Sequence, residues 1–178
     1  MPRRTSRAVM VRNLGDALLA CRAAAAARCP VTLVSPPGAG LFAGAVWFKA
    51  LTALTRREAG ATRKEVRFVL DCADAPGAVL AAVRAGVEAC AFSGNIKARA
   101  RLGEIAKRAG VVLVDPPSDI FRMSQNSDFD GLLAWFSSPG ASLQRSGRSA
   151  KRTATHIPAP TRRGANRYSK HSRGAHRP

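Results

Sequence analysis

The feature of this sequence that most constrains its fold is a repeated unit, in which a helix-forming segment ends at a glycine and a short apolar run follows. The glycines are Gly60, Gly86 and Gly110, and the runs after them are VRFVLD, EACAFSG and VVLVDPP. A glycine at the end of a helix adopts the left-handed conformation that turns the chain into the next strand. The unit therefore predicts helices that alternate with strands.

A further apolar run, VTLVS at residues 31–35, comes before the first of these units. Between the runs, apolar residues recur at helical spacing, as Val79, Val83 and Val87 do. Apolar strands separated by helices are typical of a parallel sheet covered by helices. We therefore expect an α/β fold with a small open parallel sheet of about four strands. It would be Rossmann-like or half-barrel-like, because four strands are too few to close a barrel.

The formal net charge of +18 is concentrated at the two ends of the chain. Residues 1–12 contain four Arg and no acid, and residues 141–178 contain ten Lys or Arg and no acid. The middle, residues 13–140, has fifteen basic and eleven acidic residues, which is an ordinary balance for a globular domain. We therefore predict a basic flexible N-terminus over residues 1–12 and a single α/β domain over residues 13–138.

The segment from residue 139 to residue 178 has almost no large apolar side chains. Because nothing there offsets the entropy of ordering, we predict a disordered basic tail. Such a tail would bind nucleic acid through its phosphates, in a salt-dependent way and without sequence choice. Its composition is also typical of GC-rich codons read out of frame, so an error in the gene model is the alternative.

Cysteine and histidine give little material for a metal site. The three histidines lie in the predicted tail, and the cysteines contain no CxxC pair. We predict that the cysteines are small buried apolar groups, and that the domain has no metal site and no cofactor. The four cysteines are Cys21, Cys29, Cys72 and Cys90.

The uncharged stretch from Val31 to Phe48 is eighteen residues long, which is enough to span a membrane. Pro36 and Pro37 in its middle would break such a helix. An export signal is also disfavoured, because Asp16 interrupts the apolar part of the N-terminal segment. We therefore predict no membrane span and a cytoplasmic location.

Ligands of parallel sheets bind beyond the carboxyl ends of the strands, where loops and helix N-termini converge. After the first apolar run, Gly38 and Gly40 with Ala43 fit a weak GxGxx[GA] phosphate loop. Asp71 ends the next strand, where a ribose-binding acid would lie, although later than the usual spacing. The alternative is a turn of small residues that lets the following helix pack closely.

A third strand end leads into Ser93, Gly94 and Asn95, after which a helix begins with Lys97, Arg99 and Arg101. Cations are unfavourable at the positive end of a helix dipole. A phosphate or carboxylate bound by the amides near Gly94 and Asn95, with Lys97 closing over it, would resolve this conflict. The alternative is a solvated basic face with screened charges.

Three acids lie at strand ends, namely Asp71, Asp74 and Asp115. Two of them on adjacent strands would be able to share a divalent cation or act as an acid/base pair. In the alternative, Asp74 caps the helix that begins near Pro76, and Asp115 lies in a turn. Since no His, Cys or Ser motif accompanies these acids, we lean against an enzyme.

The segment from Leu41 to Leu54 is apolar nearly all round a helix. One face is expected to meet the sheet, and the rest needs a cover. That cover is either the first helix or a second copy of the chain in a homodimer. The apolar residues are Leu41, Phe42, Val46, Trp47, Phe48, Leu51 and Leu54.

These features predict a domain that binds a small anionic ligand, such as a phosphorylated one, or a protein partner at the carboxyl edge of its sheet. One alternative is a nucleic-acid-associated protein that acts through its tail, and the other is an enzyme that uses Asp71 and Asp115. The predicted ligand-binding residues are Gly38, Gly40, Asp74, Ser93, Gly94, Asn95 and Lys97.

Overall fold

The computed structural model describes residues 6–124 and 127–138. Strands alternate with helices along most of this range, which confirms the predicted α/β class. The strands are β1 (Arg7–Met10), β2 (Val31–Val34), β3 (Val66–Asp71), β4 (Ala89–Ala91), β5 (Val112–Val114) and β6 (Ile120–Arg122). The helices are α1 (Leu14–Ala26), α2 (Ala39–Phe42), α3 (Gly44–Ala59), α4 (Pro76–Ala85), α5 (Ile96–Arg108) and α6 (Phe129–Ser137). The predicted tail over residues 139–178 lies outside the described residues.

The six strands form one parallel sheet in the order β5-β4-β3-β2-β1-β6. Our expectation of about four strands is wrong, because β1 and β6 are short and carry charged residues. β1 lies inside the sheet, between β2 and β6. Arg7–Met10 therefore belong to the folded domain and not to a flexible N-terminal segment.

The helices form a single layer on one face of the sheet. α1 packs against α6 and α3, α3 packs against α4, and α4 packs against α5, in the same order as the strands that precede them. Right-handed crossovers that proceed in one direction along a sheet place their helices on one face. The main core lies between this layer and the sheet, and it includes Val9, Leu33 and Phe68.

The sheet curls around its other face. β5 and β6 are its two edges, yet only residues 115–119 join them. In a flat sheet of six strands the edges would be about 24 Å apart, which is five spacings of about 4.8 Å. A five-residue link reaches about 20 Å when fully extended, and it must also return from the carboxyl end of β5 to the amino end of β6. The half-barrel-like form of the predicted fold therefore fits, and the Rossmann-like form does not.

The concave face holds a second, small apolar cluster, which consists of buried residues from β1 to β4 with partly buried residues from both edge strands. Side chains alternate between the two faces of a strand, so this cluster is separate from the main core. Its buried members are Ala8, Val34, Val69 and Ala91, and Ala89, Val114 and Ile120 pack against them.

The predicted glycine caps are confirmed. Gly60, Gly86 and Gly110 have φ angles of 60°, 67° and 71°, in the left-handed region. At the corresponding junction between α1 and β2, however, the left-handed residue is Arg28, with φ 50°. Asp128 caps the last helix, α6, because its side chain accepts a hydrogen bond from the Gly131 N–H.

All four cysteines are buried and reduced, as predicted. Burial raises the pKa of the Cys21 thiol to about 11. A hydrogen bond with Cys90, together with burial, raises the pKa of the Cys72 thiol. Within residues 6–124 and 127–138, no helix has the length and apolar content needed to cross a membrane.

The position of β1 inside the sheet predicts a large effect of a substitution close to the N-terminus. Val9 is 0% exposed. Val9→Ala should lower the free energy of unfolding by about 2 kcal/mol, because it removes buried methyl groups and leaves a cavity. The measurement is urea unfolding, and Val112→Ala is the matched control on the edge strand β5, where Val112 is 57% exposed. Equal effects of the two substitutions would contradict the inner position of β1.

Candidate functional site

At the carboxyl edge of the sheet, Asp71 connects the loops that follow β2 and β3. Its Oδ1 accepts hydrogen bonds from the Gly38 N–H at 2.8 Å and from the Ala73 N–H at 2.9 Å. Its own N–H donates to the Oγ of the buried Ser35 at 2.8 Å. The Asp71 carboxylate therefore fixes the shape of this edge.

Gly38 and Gly40 allow α2 to approach β3 closely. Gly38 has φ 71° and precedes the first residue of α2. A Cβ on Gly40 would lie 3.0 Å from the Cys72 Sγ and 3.2 Å from the Asp71 backbone oxygen. The Gly38 N–H already donates a hydrogen bond to the Asp71 carboxylate, so it is not available to a phosphate. The interpretation as a turn of small residues accounts for both glycines.

The loop after β4 is fixed at three points. The Ser93 N–H donates to the Ala73 backbone oxygen at 2.8 Å, which joins this loop to the one after β3. A Cβ on Gly94 would collide with the ring of Phe92. The Asn95 Oδ1 caps α5 by accepting the Ala98 N–H at 2.8 Å.

The three cations at the start of α5 differ in their surroundings. Arg99 Nη1 donates to the backbone oxygens of Phe92 at 2.8 Å and Val114 at 3.4 Å, and lies 3.1 Å from the Asp115 Oδ1. Arg99 therefore has a structural role, because it joins the carboxyl ends of β4 and β5. Lys97 and Arg101 are exposed, and neither has an ion-pair or hydrogen-bond partner among the residues that the structure describes.

The backbone at the start of α5 has unused donors. Within the described ranges, none of the N–H groups of residues 94–97 donates a hydrogen bond. α5 has 13 residues, so the positive end of its dipole lies at these groups. This turn thus has unpaired amide donors and an unpaired ammonium, Lys97, which are the groups that an anion would require.

The strand-end acids do not form a pair. Asp71 is aligned with Ala91 and Ala91 with Val114, so β4 separates Asp71 from Asp115 by two strand spacings, about 10 Å. Our expectation of acids on adjacent strands is wrong for these two. Among the residues that are described, no group of three or more His, Cys, Asp or Glu side chains is arranged to hold a metal ion.

The expected cap by Asp74 is also wrong. The residue at the N-cap of α4 is Ala75, and it makes no side-chain hydrogen bond to the helix. Asp74 is exposed in the loop after β3. The carboxyl edge therefore contains one acid that maintains its shape, one that pairs with Arg99, and one that is exposed to solvent.

The apolar segment of α2 and α3 is only partly covered. Phe48 and Leu51 are buried in the main core. Leu41, Phe42 and Val46 are 61%, 72% and 77% exposed. The structure thus confirms one buried face, and a homodimer contact through the exposed residues stays a prediction.

Sequence reasoning missed a cavity of about 700 Å³ at the amino edge, between the C-terminal ends of α1 and α3. We had looked for sites only at the carboxyl edge. The signal in the sequence was an arginine, Arg28, at a helix-to-strand junction where the other units have a glycine.

Comparison of the chain with protein-family models, with curated proteins and with solved structures found no match. The geometry of the described residues is therefore the basis for a proposal about function.

The hydrogen bonds of Asp71 and the exposure of Asp115 predict different effects on stability. Asp71→Ala leaves the Gly38 and Ala73 amides without an acceptor and should cost about 2 kcal/mol of unfolding free energy. Asp115→Ala removes a solvent-exposed ion pair and should change stability little. Urea unfolding of both variants measures the difference. A Asp71→Ala variant as stable as the parent chain would contradict the structural role of this carboxylate.

Proposed function

We propose that this domain binds a small anionic ligand, through a phosphate or carboxylate group, at the start of α5. The observation that carries the proposal is the set of unpaired N–H groups of residues 94–97 beside the unpaired Lys97. An anion at this position would accept amide hydrogen bonds and face the positive end of the helix dipole.

The charges of Lys97 and Arg101 support the same assignment. These residues are four apart in α5, so they lie on one face of the helix. Lys97 in the first turn is opposed by the helix dipole, and the two exposed cations repel each other. A bound anion converts this repulsion into attraction, and a charge-assisted hydrogen bond from Lys97 is stronger than one between neutral groups.

The binding loop is formed before any ligand arrives. The Ser93 bond to Ala73, the Asn95 cap and the contact between Gly94 and Phe92 hold its path. A preformed site loses less conformational entropy on binding than a mobile loop does. The loop therefore supports binding of a small ligand without a large rearrangement of the domain.

The two alternatives have less support. An enzyme based on Asp71 and Asp115 would need the two carboxylates close together, but β4 separates them by about 10 Å and Asp71 binds two backbone amides. Nucleic-acid binding through residues 139–178 rests on their charge alone, and these residues lie outside the described ranges.

The test is the melting temperature of the full chain with inorganic phosphate, pyrophosphate, nucleotides and phosphorylated sugars. A ligand present at about 100 times its Kd stabilises the native state by about 2.7 kcal/mol, which raises the melting temperature by several degrees. Lys97→Ala should weaken binding of the active compound by about tenfold or more, because a charge-assisted hydrogen bond is lost.

Lys107→Ala is the matched control, since it removes the same charge from the last turn of the same helix. The ligand should raise the melting temperature of this control as much as it raises that of the parent chain. An equal loss in both variants would show that only overall charge matters. A rise that persists in Lys97→Ala would exclude the start of α5 as the binding site.

A further inference from the structure

The cavity at the amino edge is in the size range of small-molecule sites. Its volume is about 700 Å³, and such sites have volumes of about 300–1,000 Å³. It lies between the C-terminal ends of α1 and α3 and the segments that lead into β2 and β3. The start of α5 lies at the opposite edge of the sheet, so the two places are separate.

The floor of this cavity is apolar. Cys21, Ala24, Cys29 and Val66 line it, and all four are buried. Burial raises the pKa of the Cys21 thiol to about 11, so this side chain is neutral at physiological pH. A floor of this kind favours an apolar body in the ligand.

The rim of the cavity has cations without partners. Arg22, Arg28 and Lys64 line it and are exposed, and within the described part of the chain none of their side chains makes an ion pair or hydrogen bond. The lining thus contains three positive groups that are available to a ligand. Charged side chains at the edge of an apolar site commonly fix the orientation of a ligand.

The acids of the rim are already engaged. The Glu65 Oε2 accepts hydrogen bonds from the Thr62 N–H at 2.9 Å and from its Oγ1 at 2.7 Å. Glu58 pairs with Arg57 at 2.8 Å. Because Arg57 balances the charge of Glu58, the three cations face only Glu65 and the partial negative charge of two helix ends, about half a charge each, so the rim is net positive.

Arg28 is in a conformation that favours glycine. At the three corresponding junctions the left-handed residues are Gly60, Gly86 and Gly110, whereas Arg28 has φ 50°. A side chain at such a position is strained, because its Cβ crowds the backbone. Strained residues cluster at functional sites, and the strained side chain here lines the cavity.

From the apolar floor, the positive rim and the strained Arg28, we propose that the amino-edge cavity binds an organic acid. The ligand would have an apolar body on the floor and one anionic group at Arg28, with Arg22 and Lys64 contributing charge. This site is independent of the one proposed at the start of α5.

The experiment uses the full chain and two fluorescent probes that share an apolar body. Anilinonaphthalene sulfonate has an anionic group, and phenylnaphthylamine is its neutral counterpart. Both should bind with an increase in fluorescence. Arg28→Gly should raise the Kd of the sulfonate by about tenfold, through loss of a charge-assisted contact, and leave the Kd of the neutral probe unchanged. Its melting temperature should be equal to or above that of the parent, because glycine relieves the strain.

Two further variants locate the probes. Ala25 is exposed and lines the cavity, so Ala25→Trp should block it and abolish binding of both probes without disturbing the core. Arg84→Ala removes the same charge as Arg28→Gly from an exposed residue outside the lining, and Lys97→Ala removes a charge from the other site. Neither of these two controls should change the Kd of the sulfonate.

Three results would overturn the proposal. The first is an unchanged sulfonate Kd in Arg28→Gly. The second is that Arg28→Gly abolishes binding of both probes and also lowers the melting temperature, which would show that the role of Arg28 is purely structural. The third is binding that survives Ala25→Trp but is lost in Phe42→Ser, which would place the probes on the exposed residues of α2.

Discussion

The short link between β5 and β6 is the constraint on which the rest of this structure depends. Residues 115–119 are too few to join the edges of a flat six-stranded sheet, so the sheet curls. The curl requires small side chains on the concave face, which is where Ala8 and Ala91 are buried. Because the crossovers all proceed in one direction from β1 to β5, the helices cover only the convex face. The curl brings the loops at each edge of the sheet closer together. At the carboxyl edge, hydrogen bonds of Asp71 and Ser93 connect neighbouring loops.

The parts of the fold that depend on local sequence could be predicted, and those that depend on distant contacts could not. Glycine caps and apolar runs identified β2 to β5, because each is a property of neighbouring residues. β1 was missed because it begins with a charged residue, Arg7. The contacts that account for this arginine are with Trp135, which lies 128 positions further along the chain. The Arg7 guanidinium donates to the Trp135 backbone oxygen and lies 4.8 Å from the centre of the Trp135 ring, which holds the end of α6.

The candidate site shows the same division. The unusual charge at Lys97 was visible in the sequence, since it follows from the rules for helix ends, whereas the cap at Asn95 was not predicted. The separation of Asp71 from Asp115 was not, because it depends on the strand order that places β4 between them. The amino-edge cavity was missed as well, because its lining residues lie up to 45 positions apart, from Cys21 in α1 to Val66 in β3.

Both proposals about ligand binding rest on a contrast between engaged and unengaged cations of this domain. Arg56 at the amino edge binds both Glu88 carboxylate oxygens at 2.8 Å and lies over the Phe68 ring, so it is part of the framework. Arg99 has the same role at the carboxyl edge. Lys97 and Arg28 remain exposed, one at the positive end of a helix and the other in a strained backbone conformation. Each of the two proposals therefore supplies an anion from outside the described protein to a cation whose side chain has no partner within it.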